Sequence, residues 1–336
     1  MARFFIVAPS WVGDTVLAQP LFMRLHERHP GTVIDVFAPQ WVAPVLQRMP
    51  EVADVIPNPF AHGALQLAER WRLGRSLRSR GYERAFVLPN SFKSAMVPFF
   101  AGIPVRTGFL GEARYGLLND RRILDKTAVP LMVERFALLA EARGERLTRP
   151  LPNPKLQVDA SQLQATLSRL GLTAEMPVAA FCPGAEYGPA KRWPTQHFAA
   201  LAKRLHGEGH QVWLLGSGKD AAVSAEINAR AGGICIDLAG KSTLDQVVDL
   251  LSCAALVVSN DSGLMHIAAA LDRPMAALYG SSSPEFTPPL SAKARVVNLR
   301  LECSPCFERE CPLGHFNCMM QMSPDQVREA LDQATR

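Results

Sequence analysis

Asp261, Lys191, Arg192 and Asp14 are the residues of this sequence best placed to do chemistry, because each stands in a loop between an apolar run and a helical one. The run Ser259-Asn260-Asp261-Ser262-Gly263-Leu264-Met265-His266 follows the apolar residues 255–258 and precedes residues 267–271, which read as helix. A strand that turns on Asp-Ser-Gly into a helix leaves backbone N–H groups unpaired at the positive end of the helix dipole, a ready place for phosphate. Taken alone, Asp261 and Ser262 would equally be an N-cap that merely starts a helix.

Further loops share this strand-to-helix setting. In residues 182–194, Gly and Pro punctuate the chain around Gly184, Glu186 and Tyr187, and the basic pair Lys191-Arg192 precedes a helix. Two cations there suit a pyrophosphate, although the run is neither a Walker A motif nor a G-x-G-x-x-G fingerprint. In residues 215–220, Gly216-Ser217-Gly218 lets backbone approach a ligand closely, or is a simple tight turn. Near the start, Pro9-Ser10-Trp11-Val12-Gly13-Asp14 places a carboxylate at or near a helix N-terminus, where it stays ionised and can take a proton from a hydroxyl nucleophile. An N-cap is again the plain alternative.

Four of the seven cysteines crowd one segment, Cys303-x2-Cys306-x4-Cys311-x6-Cys318, with His315 inside it. Four thiols suffice for a structural zinc site, but the spacing fits no common zinc or iron–sulfur pattern, and thiols packing a loop are the alternative. Cys182, Cys235 and Cys253 lie in or beside apolar runs and read as small buried hydrophobes. No Asp-x-Asp stands on a loop to hold a divalent ion beside a nucleotide, so no catalytic metal and no cofactor are expected.

These loops need a frame, and the chain supplies it twice. With 336 residues, length alone suggests two domains. Strand-like runs at 4–8, 33–38 and 85–88 alternate with helical ones at 15–29, 42–49, 64–80, 92–100 and 130–143. After a proline-rich stretch at 144–158, strands at 177–182, 211–215, 235–238, 255–258 and 275–279 alternate with helices at 195–207, 221–231 and 244–253. Two βαβ arrays predict two doubly wound α/β domains, residues 1–155 and 156–323, with ligands at the carboxyl ends of strands and a main site in the cleft between the domains. The last helix, 324–336, has no evident place in the second array and is expected to pack back on the first.

Composition sets outer limits. Hydrophobic residues make up 48% and charged residues 20%, as in soluble globular proteins, and no apolar run reaches the length of a membrane span. A net charge of +5 does not argue for nucleic acid. The opening residues read as a first buried strand and not as a signal segment, which predicts a cytoplasmic protein. Arg70, Arg72, Arg75, Arg78, Arg80 and Arg84, interleaved with Leu67, Trp71, Leu73 and Leu77, predict a helix with a basic face for an anionic membrane surface, or else a solvated face.

Taken together, residues 9–14, 88–94 (Leu-Pro-Asn-Ser-Phe-Lys-Ser), 183–194, 260–266 and 286–290 resemble, in order and over nearly the whole chain, the ADP-heptose:lipopolysaccharide heptosyltransferases. The resemblance implies a GT-B fold, acceptor on the N-terminal domain and ADP-sugar on the C-terminal one. It also implies inverting transfer of L-glycero-D-manno-heptose from ADP-heptose to the first heptose of heptosyl-Kdo2-lipid A, at the cytoplasmic face of the inner membrane. By position, Asp14 matches the family's base, Lys191 the lysine that holds donor phosphates, and Asp261, Ser262, Gly263, Leu264 and His266 the donor-binding turn. With phosphate on the N–H groups, the Asp261 carboxylate is expected to reach a sugar hydroxyl or to position Lys191. Gly184, Glu186, Arg192, Gly216, Ser217 and Gly218 complete the expected donor site. Gly218 stands where a related branch carries a longer side chain, and Glu186 and Tyr187 where it carries hydroxyl residues, which leaves those roles open. Gly13, Asn90, Ser91, Lys93 and Arg106 are expected to meet the anionic acceptor, with helix capping and surface solvation as their alternative. The rivals are transfer to unheptosylated Kdo2-lipid A, a sugar-nucleotide 2-epimerase and a non-catalytic nucleotide-sugar-binding module; a nucleotide-dependent oxidoreductase would need the missing dinucleotide fingerprint.

Overall fold

A computed structural model describes residues 2–61, 63–173 and 175–336. The chain divides into two compact units, Met1–Pro154 and Lys155–Arg336. In the first, strands β1 (Arg3–Val7), β2 (Val33–Pro39), β3 (Asp54–Asn58), β4 (Arg84–Val87), β5 (Val105–Phe109) and β6 (Asp120–Arg122) form one sheet in the order β3-β2-β1-β4-β5-β6. In the second, β7 (Val178–Cys182), β8 (Gln211–Leu214), β9 (Cys235–Asp237), β10 (Ala254–Asn260), β11 (Met275–Leu278) and β12 (Ala294–Val297) form the order β9-β8-β7-β10-β11-β12. All strand pairs in both sheets are parallel. The two orders are the same pattern, so each sheet reverses its winding once, between β1 and β4 and between β7 and β10. Ligands in doubly wound sheets bind beside that reversal, at the carboxyl ends of its two strands.

The central strands are buried on both faces and read as unbroken apolar runs: every residue of β7 is buried, as are Phe4 to Val7 of β1. Phe5, Val7, Phe37, Phe60, Ala85 and Val97 anchor the core of the first unit, and Phe181, Trp193, Phe198, Leu214, Val258 and Leu278 that of the second. The sequence pattern misses β3, β5, β6 and β12, and the reason is physical. β3, β6 and β12 are sheet edges that carry Pro57, Asp120-Arg121-Arg122 and Arg295, which protect an edge from further pairing and erase its apolar pattern. β5 is interrupted by Arg106 and Gly108.

The expectation for the last helix is corrected. Pro324–Ala334 does not belong with the first array: it packs against β12, β11 and the helix Thr195–Gly207, and buries Val327 and Leu331 in the core of the second unit. Ser323 caps it, its Oγ accepting from Gln326 N–H at 3.2 Å, and Trp193 ties its approach by donating its indole N–H to Met322 O at 2.8 Å. No helix among the described residues is long and apolar enough to cross a membrane.

Candidate functional site

In the second unit the loops after β7 and β10 flank the winding reversal, and they are knotted together by side chains. Asn260, the last residue of β10, is fully buried. Its Oδ1 accepts from Trp193 N–H at 3.0 Å, and its Nδ2 donates to Pro183 O at 2.7 Å. One amide thus holds both ends of the loop that carries Lys191. Lys191 closes a short turn, Pro189–Lys191, and its Nζ donates to the Asp261 carboxylate at 2.5 Å while lying 5.2 Å from the centre of the Tyr187 ring. Of the two roles open to Asp261, the structure shows the contact with Lys191.

The turn starts a helix without a side-chain cap. Ser262 is the N-cap of the helix Gly263–Ala270 but makes no side-chain capping bond, and the Asp261 carboxylate is turned to Lys191. A helix N-terminus without a side-chain cap beside an ammonium group favours negative charge. His266 lies buried in the first turns of the same helix. Burial pushes its imidazole down to about 4, against the attraction of Asp261, so it is neutral at pH 7.

The loop after β8 joins the group through a residue that the motifs did not single out. Asp220 Oδ2 accepts from Ser217 N–H at 2.9 Å and from Ser217 Oγ at 2.8 Å. Its carboxylate lies where a Cβ on Gly184 would be, so only glycine lets the β7 loop meet it. Gly216 is buried beneath the same carboxylate, and Ser217 and Gly218 are exposed. Glu186 is held by Lys219 at 2.5 Å in an exposed pair, and Arg192 is half-buried. Cys182, at the end of β7, has its thiol pushed up to about 12 by burial and is inert as a nucleophile.

The first unit presents a different surface at its own reversal. Asp14 lies in the first turn of the helix Val12–Leu17, directly after the loop that leaves β1, and is half-buried with Gly13. Trp11, the N-cap, is exposed and offers no side-chain cap; Trp41, also exposed, donates its indole N–H to Ser10 O at 2.8 Å. On the other side of the reversal, Asn90 and Ser91 follow β4, and Lys93 lies on the short turn Phe92–Ala95. This loop rests on Arg114, which sequence reasoning passed over. Fully buried, Arg114 donates to Pro89 O at 2.6 Å, to Ser94 Oγ at 3.3 Å, to Asn90 Oδ1 at 3.4 Å and to Phe109 O. Burial lowers its guanidinium to about 10, still charged at neutral pH.

Arg106 is not brought to this edge. It sits near the amino end of β5, and its guanidinium donates to Leu117 O at 2.6 Å and to Ile103 O at 2.5 Å. The continuous basic face expected over residues 70–84 is also broken up. Arg70 is buried over the Phe60 ring and donates to Leu65 O, Ala64 O and Lys93 O; Arg80 binds Asp35 and Asp54; Arg78 donates to Phe100 O. What stays outward on the helix Leu67–Ser76 is Leu67, Ala68, Glu69, Trp71, Arg72, Arg75 and Ser76, so one carboxylate shares the face with the two arginines.

Known proteins resemble the chain over nearly its whole length. The family model described as Glycosyltransferase family 9 (heptosyltransferase) matches residues 70–317. Lipopolysaccharide heptosyltransferase 2 of Escherichia coli (strain K12) is 51% identical over 98% of this chain and 97% of its own. Lipooligosaccharide heptosyltransferase 2 of Haemophilus influenzae is 44% identical over 98% of this chain and 99% of its own. The solved structure of E. coli ADP-heptose LPS heptosyltransferase II superposes with a TM-score of 0.89 at 48% identity, covering 99% of this chain and 98% of that one. The two parallel six-stranded sheets with interleaved helices are accordingly those of a GT-B glycosyltransferase, and the chain belongs to glycosyltransferase family 9, the heptosyltransferases.

Proposed function

We propose that the protein transfers L-glycero-D-manno-heptose from ADP-heptose to the first heptose of the lipopolysaccharide inner core, with inversion at the anomeric carbon. The observation that carries the reading as transfer from a nucleoside diphosphate sugar is Lys191, held by Asp261 beside the N-terminus of the helix Gly263–Ala270. The relatives' names supply the sugar and the acceptor.

In this reading the acceptor hydroxyl attacks the anomeric carbon, and its proton passes to Asp14. The bond to the β-phosphate oxygen breaks, and the charge that gathers on ADP is met by Lys191, Arg192 and the N–H groups at the start of the helix. These donors are fixed before the reaction, so they need not reorganise as charge develops. Gly184, Gly216, Ser217, Gly218 and Glu186 border the donor; His266, neutral, fills the space behind Asp261 without adding a competing charge. Gly13, Asn90, Ser91 and Lys93 receive the acceptor, and Arg114 holds the loop that carries Asn90, Ser91 and Lys93. The outward residues Leu67, Trp71, Arg72 and Arg75 touch the anionic leaflet that carries the acceptor, in a peripheral contact at the cytoplasmic face.

ADP release with heptosyl-Kdo2-lipid A and with Kdo2-lipid A tests the reading. Turnover with the heptosylated acceptor alone is expected; turnover with the other moves the protein to the branch that adds the first heptose. Asp14→Asn should lower kcat by about 10²–10⁴-fold, the usual range for losing a general base, and unchanged turnover removes Asp14 from that role. Sedimentation with anionic vesicles should weaken with salt and in Arg72→Glu/Arg75→Glu; indifference to both excludes this contact.

A further inference from the structure

The loop from Cys303 to Cys318 takes no part in the reaction as described, yet it is built onto the loop that does. Ala190 N–H donates to Arg309 O at 3.0 Å, Tyr187 Oη donates to Phe307 O at 2.7 Å, and Phe307 N–H donates to Ser281 O at 2.7 Å. A Cβ on Gly188 would collide with the Arg309 carbonyl, so the two backbones touch there. These ties seat the Arg309 side chain beside the loop that ends in Lys191. Lys191 Nζ and Arg309 Cζ each lie 5.2 Å from the centre of the Tyr187 ring. One ring thus carries two cations, which stand no further apart than twice that distance.

The cations at this ring are only partly neutralised. Asp261 meets Lys191, but among the described residues no carboxylate pairs with Arg309, although Glu308 and Glu310 flank it in the chain. Arg192, the residue after Lys191, likewise has no carboxylate partner among them, and its Nε is buried without an acceptor. Two like charges held over one ring raise each other's energy until an anion joins them. The Tyr187 ring attracts the exposed guanidinium by its π face and leaves the fork of N–H donors open. A fork of donors beside a second cation matches the oxygens of a diphosphate better than those of a single phosphate, which one cation can hold.

We propose that Arg309 is a further donor-binding residue, its guanidinium binding the diphosphate of the nucleotide sugar together with Lys191, and that the Tyr187 ring is the platform that spaces the two cations. This role rests on the donor reading above and adds to it a means of selecting a diphosphate over a monophosphate. A monophosphate held at Lys191 and the start of the helix Gly263–Ala270 leaves Arg309 in solvent. A diphosphate reaches both cations and relieves their repulsion. Nothing in the local sequence announces Arg309, because it comes to the site on a different loop and is held there by backbone bonds at Ala190 and by the Tyr187 hydroxyl.

The experiment is calorimetric binding of ADP and of AMP to the full chain, without acceptor, in the wild type and in Arg309→Gln, Arg309→Lys and Tyr187→Leu. Arg309→Gln should weaken ADP by about tenfold, the low end for losing a hydrogen bond to a charged group, and AMP by less than about threefold. The loss of ADP affinity should shrink as salt is raised. Arg309→Lys should recover part of it, since the charge returns without the fork, and Tyr187→Leu should lose ADP over AMP as Arg309→Gln does. Because Arg309 is exposed, its variants are expected to melt with the wild type. Unchanged ADP affinity in Arg309→Gln overturns the assignment and leaves a solvated surface arginine. Equal losses for ADP and AMP overturn it as well, since they report a change in the shape of the loop and not a contact with the second phosphate. A wild-type chain that binds neither nucleotide overturns the donor reading instead.

Discussion

Two sheets with the same strand order end in two different kinds of surface. At the reversal in the second unit, Asn260 ties the β7 loop at Trp193 and at Pro183, and Lys191 meets Asp261, so the polar groups are fixed relative to one another. At the reversal in the first unit, buried Arg114 holds the loop after β4, while the loop after β1 is flanked by the exposed indoles of Trp11 and Trp41. The strand order decides where a ligand sits; the side chains that cross-tie the loops decide whether the place suits a compact dianion or a larger, partly apolar molecule. A pyrophosphate needs charges held still, whereas an oligosaccharide on a lipid offers hydroxyls, acids and flat sugar faces.

The sharpest way to break this contrast is at Lys191. Lys191→Met should lower kcat by about 10²–10³-fold, as loss of a fixed transition-state donor does, and raise the donor KM, without changing acceptor KM. An effect confined to the acceptor would reverse the assignment of the two units. Next in size is the neutral His266. The unfolded imidazole takes a proton near 6.5 and the folded one only near about 4, so unfolding takes up a proton in between. Stability is therefore full above pH 6.5 and falls as pH drops toward 4, by on the order of 3 kcal/mol. Denaturant titrations of His266→Gln should lack that share of the fall; a parallel decline would mean that other groups cause it.

Asn260→Leu leaves Trp193 N–H and Pro183 O without partners in the core. A cost of about 1–3 kcal/mol for each buried group left unsatisfied is expected in equilibrium unfolding, together with a higher donor KM. An unchanged KM would show that the Lys191 loop holds its place without the tie. The smallest effect belongs to Glu186, whose exposed pair with Lys219 should contribute under about 1 kcal/mol. Glu186→Ala should leave the melting temperature nearly unmoved, so that any rise in donor KM reports contact with the donor itself.

Much of this was legible because the chain repeats one grammar: a buried parallel strand written as an apolar run, a Gly-containing loop, then a helix. That grammar marks β1, β7, β8 and β10 and with them Asp14, Lys191, Ser217 and Asp261. It finds the edge strand β9 but fails at the other three edges, where β3 carries Asp54 and Pro57, β6 is Asp-Arg-Arg and β12 carries Arg295. It also fails for residues whose work is done at long range. Asn260 bonds to backbone 67 and 77 positions away, and Arg114 to Pro89, 25 positions away; no local spacing announces either. Arg70 and Arg106 fail in the opposite sense. In sequence they look like cations awaiting an anion, but their guanidinium groups are turned to backbone carbonyls.

The helix Pro324–Ala334 completes the core of the unit that holds Lys191, so the described chain passes from one unit to the other only once, at Pro154 and Lys155. A single crossing makes the first unit a cassette. Recombination can exchange it as one continuous segment, with no second strand of polypeptide to match, while the unit that carries Lys191 and Asp261 is inherited intact.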